Sequence, residues 1–150
     1  MILRPVHIVG RLENSVSRYL RQPVIPTVLG FDPMVQVIHE EDLVQGIHRA
    51  LLPGLRGVFN LAGPGTVPLR TLLDLAGKKT FPVPGVALRA GMRLAWRMRF
   101  GAFTPPEIAR IQFVSTVDDT LSREVLRFRP EHSLEETLDY LRELRLASPG

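Results

Sequence analysis

The chain of 150 residues contains no cysteine. Disulfides and thiolate metal centres are therefore excluded, and nothing in the composition argues for export. No apolar stretch approaches the roughly 20 residues that cross a bilayer as a helix. The opening "MILRPVHIVG" is not expected to be a signal peptide, because Arg4 and Pro5 interrupt the apolar run and no small-residue cleavage site follows. A cytoplasmic protein is the expectation. Aromatic residues are scarce, with Trp96 the only tryptophan. The aromatic–basic interleaving of RNA-binding surfaces is accordingly missing. Acids are missing from one long stretch: none lies between Asp74 and Glu107, where Lys78, Lys79, Arg89, Arg93, Arg97 and Arg99 all fall. The net charge of +4 is thus concentrated in one region, and the flanking regions are close to balanced.

What is present suits a folded protein. Hydrophobic residues make up 45% and charged residues 23%, the balance of a soluble globular chain. The length allows one domain with a real core and is short for two. Met1–Val9 opens on an apolar, β-rich run. "ENSVSRYLRQ" predicts a short helix capped at Asn14 or Ser15, and "PVIPTVLG" an extended, proline-broken segment. Met34–His39, "MVQVIH", predicts a strand. From Glu41 the apolar residues Leu43, Ile47 and Leu51 fall at helical spacing, and that helix ends at Pro53-Gly54. "GVFNLAG" predicts another buried strand, and Pro68–Ala76 a helix with proline in its tolerated first turn.

The second half reads as mainly helical. Met92, Trp96 and Phe100 share one face of a helix, and Arg89, Arg93 and Arg97 share another. "TPPE", Thr104–Glu107, has the pattern of a capping box opening "IARIQFV". Ser133 and Glu136 form a second box, opening a helix whose inner face is Leu134, Thr137, Leu141 and Leu144. The order βαββαβα followed by helices defines an α/β fold.

His39-Glu40-Glu41-Asp42 invites a metal reading. The position four beyond His39 is leucine, however, and His48 lies nine residues away on the following helix. The acids instead supply caps and first-turn negative charge to a helix N-terminus. No metal site is expected. Gly63-Pro64-Gly65 is the one candidate for a glycine-rich phosphate loop, yet its third glycine position is Pro68 and no acid follows at ribose-binding distance. An ordinary strand–helix turn is the expectation there. Ser133 follows His132 but serves better as a helix cap than as a nucleophile.

"VQVIHEEDLVQGIHRAL" resembles the strand–helix junction of the extended short-chain dehydrogenase/reductase family, the NAD-dependent epimerase/dehydratase group. "LRPVHIVG", "GVFNLAGPGTVPLRTLLDL", "VDDTLSREVLRFRP" and "HSLEETL" resemble four further family segments in the family's order. The resemblance implies the C-terminal part of a Rossmann-like sheet plus a smaller, mainly helical substrate-binding region. The single, incomplete domain 1–150 would complete the sheet with residues 1–63 and build the substrate side with 64–150. It places Pro5 at a cofactor-facing backbone position, His7 where many sugar-nucleotide enzymes carry a substrate-contacting asparagine, and Gln36 in the pocket. Asp42 is expected to be structural. Arg127 replaces a glycine that ends a helix in the left-handed region, at a cost of about 1 kcal/mol if that geometry is kept.

The family's catalytic Tyr-x-x-x-Lys does not occur: Tyr19 and Tyr140 are followed four residues later by Pro23 and Leu144. No catalytic residue is therefore assigned. This chain alone should bind no cofactor, while NAD or NADP belongs to the complete parent protein. Expected partners are a missing N-terminal half, or further copies of the chain, and an unidentified small-molecule substrate. For the helix over residues 86–100, a solvated arginine face is weighed above attachment to an anionic membrane surface, and nucleic acid is not expected.

Overall fold

The computed structural model describes residues 1–11, 24–98, 114 and 116–147. The helix predicted over "ENSVSRYLRQ", the Thr104–Glu107 capping box and Phe100 lie outside these residues, as do the side chains of Met92 and Trp96. Strands β1 (Ile2–Pro5), β2 (His7–Val9), β3 (Val24–Val28), β4 (Met34–Val35) and β5 (Val37–His39) precede helix α1 (Glu40–Ala50). Next come β6 (Val58–Leu61), β7 (Val67–Pro68), α2 (Leu69–Leu75), β8 (Lys79–Val83) and α3 (Gly85–Arg97). Helices α4 (Thr120–Val125) and α5 (Leu134–Ala147) close the described chain. The fold is mixed α/β.

The chain divides into two compact units, each assembled from separate segments. The first comprises Met1–Leu12, Gln36–Thr66 and Thr116–Gly150. In it β1 pairs with β6 in parallel, Ile2 opposite Val58, and β2 with β5 in parallel, His7 opposite Val37. The apolar opening run is therefore two strands, interrupted at Val6 so that each half meets a different partner. Its core holds Ile38, Leu43, Ala50, Phe59, Leu61, Leu126 and Phe128. Each of the largest of these side chains contributes roughly 1.5–3 kcal/mol on leaving water. Helix α1 comes close to that core at Gly46, where a Cβ would stand 2.8 Å from Leu61 Cδ1.

The buried face of α1 differs from the predicted ridge. Leu43, Gly46 and Ala50 face inward, while Ile47 and Leu51 are exposed, Leu51 to 73%. Spacing of apolar residues alone could not separate these two neighbouring faces. Of the described side chains on α5, Thr137, Leu138 and Leu141 are buried, with Leu134 and Leu144 only half-buried. The Ser133 box forms as read: Ser133 N–H donates to Glu136 Oε2 at 2.6 Å, and Glu136 N–H to Ser133 Oγ at 3.2 Å.

The second unit comprises Glu13–Val35 and Val67–Ser115. Here β3 and β8 pair in parallel from Val24 opposite Lys79 to Val28 opposite Val83, and β4 pairs antiparallel with β7. The predicted strand Met34–His39 is thus split. Met34–Val35 joins this unit, and Val37–His39 pairs within the first. Strand β8, "KTFPV", falls in a half that the sequence presents as mainly helical. Of the described side chains on α3, only Leu88 is buried, against Val28 and Val83.

Arg127 keeps the left-handed geometry at φ 51°, and Phe128 N–H closes the end of α4 on Ser122 O at 3.1 Å.

Candidate functional site

The residues suggested by family resemblance lie in the first unit, near the junction of β1 and β2. Pro5 ends β1 opposite Leu61 and is exposed. His7 opens β2, half-buried, opposite Val37. Gln36 directly precedes Val37, and its Oε1 accepts the Val117 N–H at 2.8 Å. One side of the Gln36 amide is therefore committed to holding the segment that begins at Val117. Asn60 supports the same segment through a 2.7 Å bond from Nδ2 to Asp118 O.

A second cluster surrounds the N-terminus of α1. His39 is the N-cap: its Nδ1 accepts the Glu41 N–H at 3.2 Å. Asp42 is completely buried and accepts the backbone N–H groups of Glu131, at 2.9 Å, and His132, at 3.3 Å. His132 Nδ1 also lies 3.0 Å from Asp42 Oδ1, and its Nε2 is 3.4 Å from Glu41 Oε2. The His39 and His132 rings stack at 3.9 Å, and Tyr140 tilts against His39 at 4.7 Å. Glu40 ties in both ends of the unit, accepting from Arg11 N at 2.7 Å and from Tyr140 Oη. His39, Glu41, His132 and Tyr140 border an open cleft of about 350 Å³, completed by Glu136, Asp139 and Glu143.

The electrostatics follow from these contacts. The hydrogen bond to Asp42 raises the pKa of His132 above the ordinary histidine value, outweighing partial burial. Burial lowers that of His39, and a positive His132 lowers it further. Tyr140 is raised, chiefly by its bond to Glu40.

His39, Glu41 and His132 can bring one potential ligand atom each within 4.8 Å of the others. As arranged, they do not fit a metal ion. A neutral imidazole that accepts at Nδ1 carries its proton on Nε2, which leaves His39 no lone pair to give. The two rings are also only 16° from parallel, so their in-plane lone pairs do not converge. Ser133 Oγ accepts the Glu136 N–H, the helix-cap role expected of it. The cluster works as a clasp: buried Asp42 fixes the 131–132 turn against α1. Sequence reading found His39 and Asp42 but missed His132 and Tyr140, which stand 90 or more residues away along the chain.

The Gly63–Gly65 turn does not fit a dinucleotide. Gly63 N–H is bonded to Val37 O at 3.0 Å, so it is not free to meet a phosphate. A Cβ at Gly63 would collide with Val37 O, so glycine is needed there for close packing against β5. The turn leads into β7 before α2, and the α2 N-cap is Pro68, which has no N–H to offer.

These features define part of a Rossmann-like α/β fold. The chain aligns with RMD from Pseudomonas aeruginosa complexed with NADPH at a TM-score of 0.64 and 13% identity, over 97% of this chain and 47% of that one. It aligns with the UDP-N-acetylglucosamine 4-epimerase of Bacillus cereus at 0.63 and 13%, over 99% and 46%. The UDP-glucose 4-epimerase of Thermotoga maritima gives 0.58 and 19%, over 95% and 45%. At these identities the likeness shows the fold alone. No family model matches the chain. An uncharacterized protein of Mycobacterium tuberculosis is 30% identical over 139 residues, 92% of this chain but 37% of the relative. A second from the same organism is 31% identical over 135 residues, 88% of this chain and 14% of the relative. The chain therefore spans well under half the length of these relatives.

Proposed function

We propose that the chain is the C-terminal, substrate-side portion of an extended short-chain dehydrogenase/reductase-like protein. The parent reaction is NAD(P)-dependent oxidoreduction or epimerisation at a carbinol carbon, in the cytoplasm. The observation that carries this reading is the asymmetry of the fold match, nearly all of this chain against less than half of the epimerases. Pro5, His7 and Gln36 are the residues that would face cofactor and substrate. The chain alone lacks the means for the reaction. Tyr140 is held away from base chemistry, since its bond to Glu40 raises its pKa where a catalytic tyrosine needs it lowered.

The reading also explains the exposed apolar surface of the first unit. β1 has a strand partner along one edge only among the described residues. Ile2, Val44, Ile47, Leu51, Leu121 and Val125 are all exposed. An open edge with uncovered apolar faces calls for a covering partner. The chain by itself should therefore self-associate, and sedimentation equilibrium measures this directly. A dilute monomer that also unfolds in one cooperative step would overturn the proposal.

A further inference from the structure

Helix α3 carries two exposed ridges side by side. Val86, Ala90, Leu94 and Met98 repeat every four residues along the helix and its last turn, and all four are exposed, Val86 to 76% and Leu94 to 58%. Arg89, Arg93 and Arg97, also exposed, form the neighbouring ridge. Thirteen residues make a helix about 20 Å long, so both ridges run along one side of an elongated face. Leu88 holds the opposite side of the helix onto Val28 and Val83. Two more exposed apolar residues, Leu29 and Phe31, stand by the start of α3, where Leu29 N–H bonds Val83 O at 2.9 Å.

We propose that this face of α3 attaches the protein to an anionic lipid surface. The inference is independent of the reading as an enzyme portion. A solvated helix needs arginines outward but has no use for a parallel row of Val, Leu and Met beside them. Nucleic acid would meet the arginines and leave that apolar row in water. A second copy would set arginine against arginine, because no acid lies between Asp74 and Glu107 to alternate with them. A lipid interface satisfies both ridges: headgroup phosphates meet the guanidinium groups, and the apolar row enters the acyl boundary with the helix lying flat. No described helix is long and apolar enough to cross a membrane, so the attachment is peripheral.

The test is co-sedimentation of the full chain with vesicles of phosphatidylglycerol and phosphatidylcholine, against vesicles of phosphatidylcholine alone. Binding is expected to the anionic vesicles at low salt, to weaken at high salt, and to be absent from the neutral ones. The double variants Arg93→Gln/Arg97→Gln and Val86→Ser/Leu94→Ser should each reduce it about tenfold or more, given about 1 kcal/mol per basic residue near such a surface. All four positions are exposed, and unchanged circular dichroism melts would confirm intact folding. No binding to anionic vesicles, or equal binding to both kinds, overturns the proposal. So does loss in the arginine pair with full retention in the apolar pair, which would mark a general polyanion site. Self-association abolished by Val86→Ser/Leu94→Ser would assign the face to a second copy and overturn it as well.

Discussion

Among the described residues, each of the two units is held together by different means. In the first, buried or half-buried polar side chains reach across long stretches of sequence to backbone groups: Gln36 to Val117, Asp42 to Glu131 and His132, and Ser122 to Asn60. In the second, the pairings among the described residues are mostly strand to strand. Its cross-segment side-chain bonds include Asp32 accepting the Arg70 N–H at 2.9 Å in an exposed position and a long Thr27–Phe81 contact of 3.5 Å. The difference teaches where specificity resides. A buried polar group must find its partner or lose several kcal/mol, so it fixes one arrangement of the loop that it holds. An exposed bond has water as a ready substitute.

That contrast can be broken most sharply with two aspartates. Asp42→Ala removes the buried acceptor of the Glu131 and His132 N–H groups and of the His132 ring, and should cost about 2–3 kcal/mol. Asp32→Ala removes one exposed bond and should cost about 1 kcal/mol or less. Urea unfolding of both variants measures the gap, and equal losses would remove the distinction between the units.

The histidine clasp sharpens the comparison through pH. His132 has a raised pKa, so its contribution is complete below about 6.5 and is lost as pH rises through its folded value. His39 has a lowered one, so its contribution is complete above about 6.5 and is lost as pH falls through its folded value. Stability should therefore decline on both sides of a maximum near the ordinary histidine pKa. His132→Gln should flatten the alkaline limb. His39→Asn keeps a good N-cap and should flatten the acid limb. Urea midpoints across pH 5 to 8, roughly the range where histidine titrates, would show it. A profile unchanged by either substitution would mean that the stacked pair contributes nothing.

The smallest effect is expected at the end of α4. Arg127 sits at φ 51°, where a side chain is disfavoured, so Arg127→Gly should stabilise the chain by up to about 1 kcal/mol. A rise in melting temperature checks it, and a fall would show that the arginine side chain contributes more than its backbone geometry costs.

Local chemistry was legible in the sequence. The Ser133–Glu136 box, the acid-led start of α1 and the left-handed position at Arg127 each depend on neighbours within a few residues. Pairing across distance was not. β8 carries Pro82 in "KTFPV" and faces β3 from 55 positions away, and Gln36 gives no local sign that a strand stops there and another begins. His132 looked like the residue before a cap, because its aspartate lies 90 residues upstream. The predicted buried face of α1 differs from the observed one for a similar reason: only the position of Leu61 and Phe128 decides that Gly46 turns inward and Ile47 outward.

The proposed reading puts the cofactor half of the parent protein outside this chain. Calorimetric titration of NADH and NADPH tests it most directly, run on this chain and on the intact 30%-identical Mycobacterium tuberculosis relative side by side. The account predicts saturable binding by the relative and no measurable heat from the chain, whose Gly63 amide is already bonded to Val37. A micromolar dissociation constant for the chain alone, or no binding by the intact relative, would contradict it.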